Sequence, residues 1–218
     1  EWPRNDGGVE VVRLMGQVSG MMVDAELPRP AEESQIMGMP AATPPVATIE
    51  DLLALPEDGL RHELLDGEHV VTPAPTYGHQ DVLSRLLAAL LEALRGQERL
   101  KLLTSPADIV LGPRTLVQPD LFVIRIDPAA PPTSWRDVGV PVLAIEILSP
   151  GTAARDRGAK RRIYQRAGVS EYWIVDLDAR LIERWTPSDV RPEICDERLV
   201  WAPDDAPLLS VDVPALFA

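Results

Sequence analysis

Residues 140–148 constrain this chain most, because the run is almost wholly apolar yet holds one charge, Glu146. Eight apolar or small residues around a single carboxylate read as a buried central strand, since such strands lose the in/out alternation of a half-exposed one. A charge in that setting has to be paired or bind a cation, because burying it alone would shift its pKa until it neutralised. Residues 149–152 break the strand, and a helix carrying Asp156 and Lys160 follows. Upstream, Gln118-Pro119-Asp120-Leu121-Phe122-Val123-Ile124 reads as a second core strand opened by a carboxylate. Two carboxylates at the ends of core strands, with a lysine on the next helix, suit a divalent-metal phosphodiesterase site.

The formal charge of −13 speaks against simple nucleic-acid binding, which normally needs a net basic face. The distribution softens this. Residues 155–166 hold six basic groups (Arg155, Arg157, Lys160, Arg161, Arg162, Arg166) against one acid, Asp156. A single cysteine, Cys195, excludes an internal disulfide and suits a reducing cytoplasm, the expected location. Three histidines and one cysteine argue against a four-ligand structural zinc site. No apolar run approaches the roughly 20 residues of a spanning helix, so no membrane partner is expected.

Residues 1–46 differ from the rest. They are rich in Gly and Pro, contain all five methionines and lack a sustained period. They read as a poorly ordered N-terminal extension; the alternative is an adaptor segment that orders on a partner. Residues 47–218 read as a single domain. Thr48-Ile49-Glu50-Asp51 opens a short capped helix. Residues 63–71 form a hairpin turning at Asp66-Gly67. Residues 77–95 carry an apolar helical stripe of Val82, Leu83, Leu86, Leu87, Leu90, Leu91 and Leu94. Strands are expected near 100–104, 107–111, 120–126, 171–176 and 180–185, with edge segments near 197–201 and 208–211. Helix, several strands, helix, strand implies an α/β or α+β sandwich with a central mixed sheet.

On a helix, Asp156, Lys160, Ile163, Tyr164 and Ala167 form one stripe, and its apolar members turn it towards the sheet. Lys160 therefore points inward, while Arg155, Arg161, Arg162 and Arg166 lie on other faces. The ordinary alternative is a surface Asp156–Lys160 pair worth a few tenths of a kcal/mol. Asp156 could equally serve only to orient Lys160. Glu146 alone could be a structurally paired core carboxylate, and Pro119-Asp120 alone a turn; with Lys160 they form a constellation. Glu63, at the start of the hairpin, and His79, in the first turn of the long helix, are accessory candidates. A lone histidine there is more often a satisfied core group than a ligand. Tyr164, Tyr172 and Trp173 read as packing residues, and the arginine cluster as a face able to meet phosphates.

The segments HELLDGE (62–68), YGHQ (77–80), QPDLFV (118–123), AIEILSP (144–150), DRGAKRRIY (156–164) and AGVSEYWIVD (167–176) resemble the Uma family of restriction-endonuclease relatives, within the PD-(D/E)xK nuclease superfamily. The resemblance spans about residues 48–186. It implies a restriction-endonuclease-like mixed sheet flanked by helices, with Asp120 and Glu146 as acidic metal ligands. The superfamily's lysine usually stands two residues after the second acid; here that position is Leu148, and the family pattern moves the lysine to Lys160 on the following helix. The same resemblance turns Glu63 and His79 towards the site.

The expected activity is metal-dependent endonucleolytic hydrolysis. Mg²⁺ or Mn²⁺ is held by Asp120, Glu146 and the Ile147 backbone carbonyl, and Lys160 steadies the water or the transition state. The expected partner is nucleic acid, with DNA favoured by resemblance only; a homodimer is left open. The alternative is a catalytically silent nuclease-fold module that binds nucleic acid or a protein. Glycoside hydrolysis by a carboxylate pair would leave the inward lysine unexplained.

Overall fold

The computed structural model describes residues 46–203 and 208–218. The expected extension, residues 1–46, lies outside them apart from Val46, which packs with Ile49 and Leu55 against buried Leu52, Leu64 and Leu116. Among the described residues no helix is long and apolar enough to cross a membrane.

Three sheets organise the described residues. Helix α1 (Ile49–Leu53) starts on a Thr48–Asp51 capping box. Strands β1 (Arg61–Leu65) and β2 (Glu68–Thr72) form the expected hairpin. Asp66 and Gly67 both have positive φ, 54° and 91°, as a two-residue turn matched to strand twist requires. Helix α2 (Tyr77–Ala93) follows, then β3 (Leu100–Thr104), β4 (Ile109–Gly112), β5 (Thr115–Val117) and β6 (Leu121–Arg125). Residues 127–139, rich in Pro, hold a bridged turn at Asp127–Ala130 and a 3₁₀ turn at Trp135–Asp137. Strand β7 (Leu143–Ile147) is buried throughout. Next come α3 (Ala153–Arg155), a π-helical turn (Asp156–Lys160) and α4 (Arg161–Ala167), then β8 (Glu171–Asp176), β9 (Leu181–Trp185) and β10 (Glu193–Cys195). A last hairpin, β11 (Arg198–Trp201) and β12 (Leu209–Asp212), leads into α5 (Val213–Leu216).

The six-stranded sheet runs β10-β9-β8-β7-β6-β3, and β7–β8 is its parallel pair. A four-stranded antiparallel sheet runs β2-β1-β5-β4. This is the expected mixed α+β architecture. The central strands bury both faces. Leu121, Val123, Leu143, Ile145 and Ile147 meet Val82, Leu86 and Leu90 of α2 on one side. Phe122, Ile124 and Ala144 meet Ile163 and Tyr164 of α4, together with Leu65 and Val117 of the smaller sheet, on the other. Alternation therefore puts Glu146, two residues from Ala144, on the α4 face. The expected helical stripe is narrower than the sequence suggests: Leu91 is 54% exposed, because only one side of α2 meets the sheet. The expected 140–148 strand is likewise trimmed, with Val140 left 46% exposed.

Candidate active site

Strands β6 and β7 pair antiparallel with Leu121 opposite Ile145. One further step in that register sets Asp120 across from Glu146. Asp120 is buried at the entrance to β6, and each of its carboxylate oxygens is held. Arg61 Nη1 donates to Oδ1 at 2.5 Å. His79 Nε2 donates to Oδ2 at 3.1 Å, and the Ile147 backbone N–H donates to the same atom at 2.8 Å. His79 sits there because α2 is capped by Thr76, whose hydroxyl accepts from the His79 backbone N–H. Burial opposes the Asp120 charge, but His79, Arg61 and Ile147 outweigh it and hold the carboxyl at about 2.

Lys160 is the centre of a second group. Its Nζ lies 2.8 Å from Glu146 Oε1 and 2.8 Å from Glu63 Oε1, and its side chain is only 2% exposed. Tyr164, one turn further along, donates its hydroxyl to the same Glu146 oxygen at 2.9 Å. The Gln118 backbone N–H fixes Glu63 Oε1 from the other side at 2.7 Å. Burial pushes the Glu146 carboxyl up to about 8, with Lys160 pulling it back. Burial likewise raises Asp156, which is hydrogen-bonded to Thr152. Burial disfavours the Lys160 ammonium, but Glu146, Glu63 and Asp156 more than restore it. The π-helical turn sets Asp156 and Lys160 together on the buried side, and such turns recur at functional sites.

A cleft of about 1010 Å³ opens over these groups, lined among others by Arg61, His79, Asp120, Glu146, Ile147, Asp156 and Lys160. Glu63 lies behind Lys160 and does not line it. Sequence reading missed Arg61, although it stands two residues before Glu63 and so shares its face of β1. Tyr164 reads from the sequence as a packing residue; its ring does pack, yet its hydroxyl reaches Glu146.

The four arginines proposed to meet phosphates are absent from the cleft lining. Arg155 reaches Thr72 at 3.4 Å. Arg161 stacks over Trp185 at 4.7 Å and donates to Gln165. Arg166 pairs with Asp66 at 2.6 Å, and Arg162 is exposed.

A buried lysine thus bridges two carboxyl groups beneath an open cleft, on a mixed sheet flanked by helices. Residues 49–213 match the family model Uma2, described as "Putative restriction endonuclease", and the chain belongs to that family. A crystal structure from Anabaena variabilis ATCC 29413, described as a "putative nuclease belonging to DUF820", is similar with a TM-score of 0.67 at 21% identity, covering 78% of this chain and 97% of that one. At that identity the likeness speaks to the fold. No functionally curated protein matches the chain.

Proposed function

We propose that the chain hydrolyses phosphodiester bonds in nucleic acid, DNA foremost, with Mg²⁺ or Mn²⁺ held by Asp120, Glu146 and the Ile147 carbonyl. The observation that carries this reading is the 2.8 Å pairing of Lys160 with Glu146 beside Asp120, under an open cleft.

The donor set suits a hard cation. Among the described residues no three His, Cys, Asp or Glu side chains group as a complete ligand set. Mg²⁺ tolerates this, because it keeps several waters and takes one or two carboxylates. Glu63 Oε2 is buried without a hydrogen-bond partner, an orphaned acceptor beside the site. When bound, the cation supplies Lewis-acid polarisation of a phosphoryl oxygen and a more acidic water.

The protein's own groups do the rest. Lys160 holds a positive charge at a fixed point, where it stabilises charge developing on the phosphoryl oxygens. Glu63 and Tyr164 position that ammonium and its partner carboxylate. His79 and the Ile147 N–H fix Asp120. Arg61 occupies Asp120 Oδ1 and so competes with a cation for it. On the outer face of α4, exposed Arg162 is the arginine best placed to meet a phosphate backbone.

The test is cleavage of single- and double-stranded DNA and RNA with Mg²⁺ or Mn²⁺, beside a Glu146→Ala control. Cation-dependent cleavage that disappears in the control supports the proposal. A second reading, a silent module that binds nucleic acid or a protein, is favoured by the net charge of −13. Binding without cleavage under every cation would select it.

A further inference from the structure

Two of the chain's three histidines meet away from Lys160, on the other face of the β1–β2 hairpin. His62 lies opposite Val71 and His69 opposite Leu64, so the two are diagonal neighbours across the pair. His62 Nδ1 and His69 Nε2 are 2.9 Å apart, while the ring centroids are 5.2 Å apart and the planes differ by 16°. The nitrogens are far closer than the centroids, so the rings meet edge to edge with their in-plane nitrogens facing.

The other nitrogen of His62 is also held. Nε2 lies 3.0 and 3.1 Å from the two carboxylate oxygens of Asp58. Carboxylate oxygens only accept, so Asp58, which also takes the Leu60 backbone N–H at 2.9 Å, draws the Nε2 proton of His62. In a neutral ring a proton on Nε2 leaves Nδ1 as a lone pair, free to take a hydrogen bond or a metal. His69 then offers Nε2–H to it. A carboxylate on the far nitrogen of a ligating imidazole is the usual outer support of a metal-bound histidine, raising its basicity and setting its plane.

We infer that His62 and His69 form a two-imidazole site for a borderline transition metal, Zn²⁺ foremost, with Asp58 as the supporting carboxylate. Imidazole nitrogen selects Zn²⁺, Ni²⁺ and Cu²⁺ over Mg²⁺. Tetrahedral Zn²⁺ with nitrogen at about 2.0–2.1 Å holds two ligands about 3.3 Å apart, so the pair must open slightly and tilt. His69 moves its proton from Nε2 to Nδ1, and no net proton is lost. Only two protein ligands are present, so solvent completes the shell, consistent with the lack of a three-residue ligand group among the described residues. Asp58 and His62 both line the cleft, so the ion would stand at its edge, distinct from the Asp120–Glu146 pair.

The experiment is calorimetric titration of the full chain with ZnCl₂ in excess Mg²⁺, together with ¹⁵N-resolved spectra of the histidine rings. One equivalent of zinc should bind, shifting the ring resonances of two histidines and leaving the third, His79, unmoved. Asp58→Asn should weaken binding about 10- to 100-fold. His62→Gln or His69→Gln should abolish the one-equivalent step, and glutamine keeps a side chain able to hydrogen-bond its neighbour. Asp120→Asn should leave the step in place. The inference is overturned if the wild-type chain takes up no zinc, if zinc moves none of the ring resonances, or if the step survives both histidine substitutions. The ring spectra of the wild-type chain decide the matter even if a variant fails to fold.

Discussion

Arg61 and Asp120 are joined across the two larger sheets, guanidinium to carboxylate at 2.5 Å, though 59 residues separate them. The contact, with His79, keeps Asp120 ionised at about 2 against an ordinary 3.8. A depressed carboxyl adds stability that is present above its unfolded pKa and lost as pH falls through its folded one. Between about pH 4 and 2 the chain should therefore lose about 2 kcal/mol through this group. Urea unfolding across that range checks it, and Asp120→Asn should flatten the acid limb.

Glu146 has the opposite sign. Burial lifts its carboxyl from 4.5 to about 8. Its contribution is full below about pH 4.5 and fades as pH rises towards 8. In the absence of divalent cations, Glu146→Gln should reduce the stability loss between pH 5 and 8, read from denaturant midpoints. An unchanged slope would show that the Glu146 proton is not gained on folding.

Lys160 meets two buried carboxyl groups at once, Glu63 and Glu146, each at 2.8 Å. Lys160→Met leaves Glu63 and Glu146 without their cation, and breaking a buried pair from one side costs about 3–5 kcal/mol. Adding Glu63→Gln and Glu146→Gln to it should recover part of that loss, since two of the three acids that Lys160 compensates are then neutral. Chemical denaturation of the single and triple variants measures both.

The arginines of α4 should not act alike. Each phosphate contact on duplex DNA contributes about −0.9 to the slope of log affinity against log salt. Arg162→Gln should flatten the slope by about that amount. Arg161→Gln should act more through stability, costing about 0.5–1 kcal/mol as its contact with Trp185 is lost. Binding isotherms at several salt concentrations separate the two.

Gly67 turns the β1–β2 hairpin at φ 91°, and a Cβ there would meet the Arg114 guanidinium. Its N–H donates to the Arg114 carbonyl at 2.8 Å. Gly67→Ala should cost at least about 1 kcal/mol in thermal or denaturant unfolding.

Much of this organisation is legible in the sequence because it rests on local period. The strand around Glu146, the stripe through Lys160 and Tyr164, and the Asp66-Gly67 turn each follow from spacing within a few residues. Three-residue β5 and β10 are not legible, since they are too short to display alternation and exist through pairing with β1 and β9. The closure of Arg61 onto Asp120 depends on how the smaller sheet docks on the larger one, a long-range relation that spacing does not encode. The π-helical turn escaped for a related reason: its one extra residue per turn still leaves Asp156 and Lys160 on the inward side.

The lysine of the proposed site rides on a helical turn, not on the strand that carries Glu146. A lysine at position 148, just past β7, would be tied to the backbone bond that links Leu148 N–H to the Val175 carbonyl of β8, and any shift in its reach would pull on that strand pair. Here the turn at residues 149–152 lies between them, outside every ladder. Substitutions in that turn can retune how far the ammonium reaches into the cleft while the sheet stays in register, so reach and scaffold are free to vary separately.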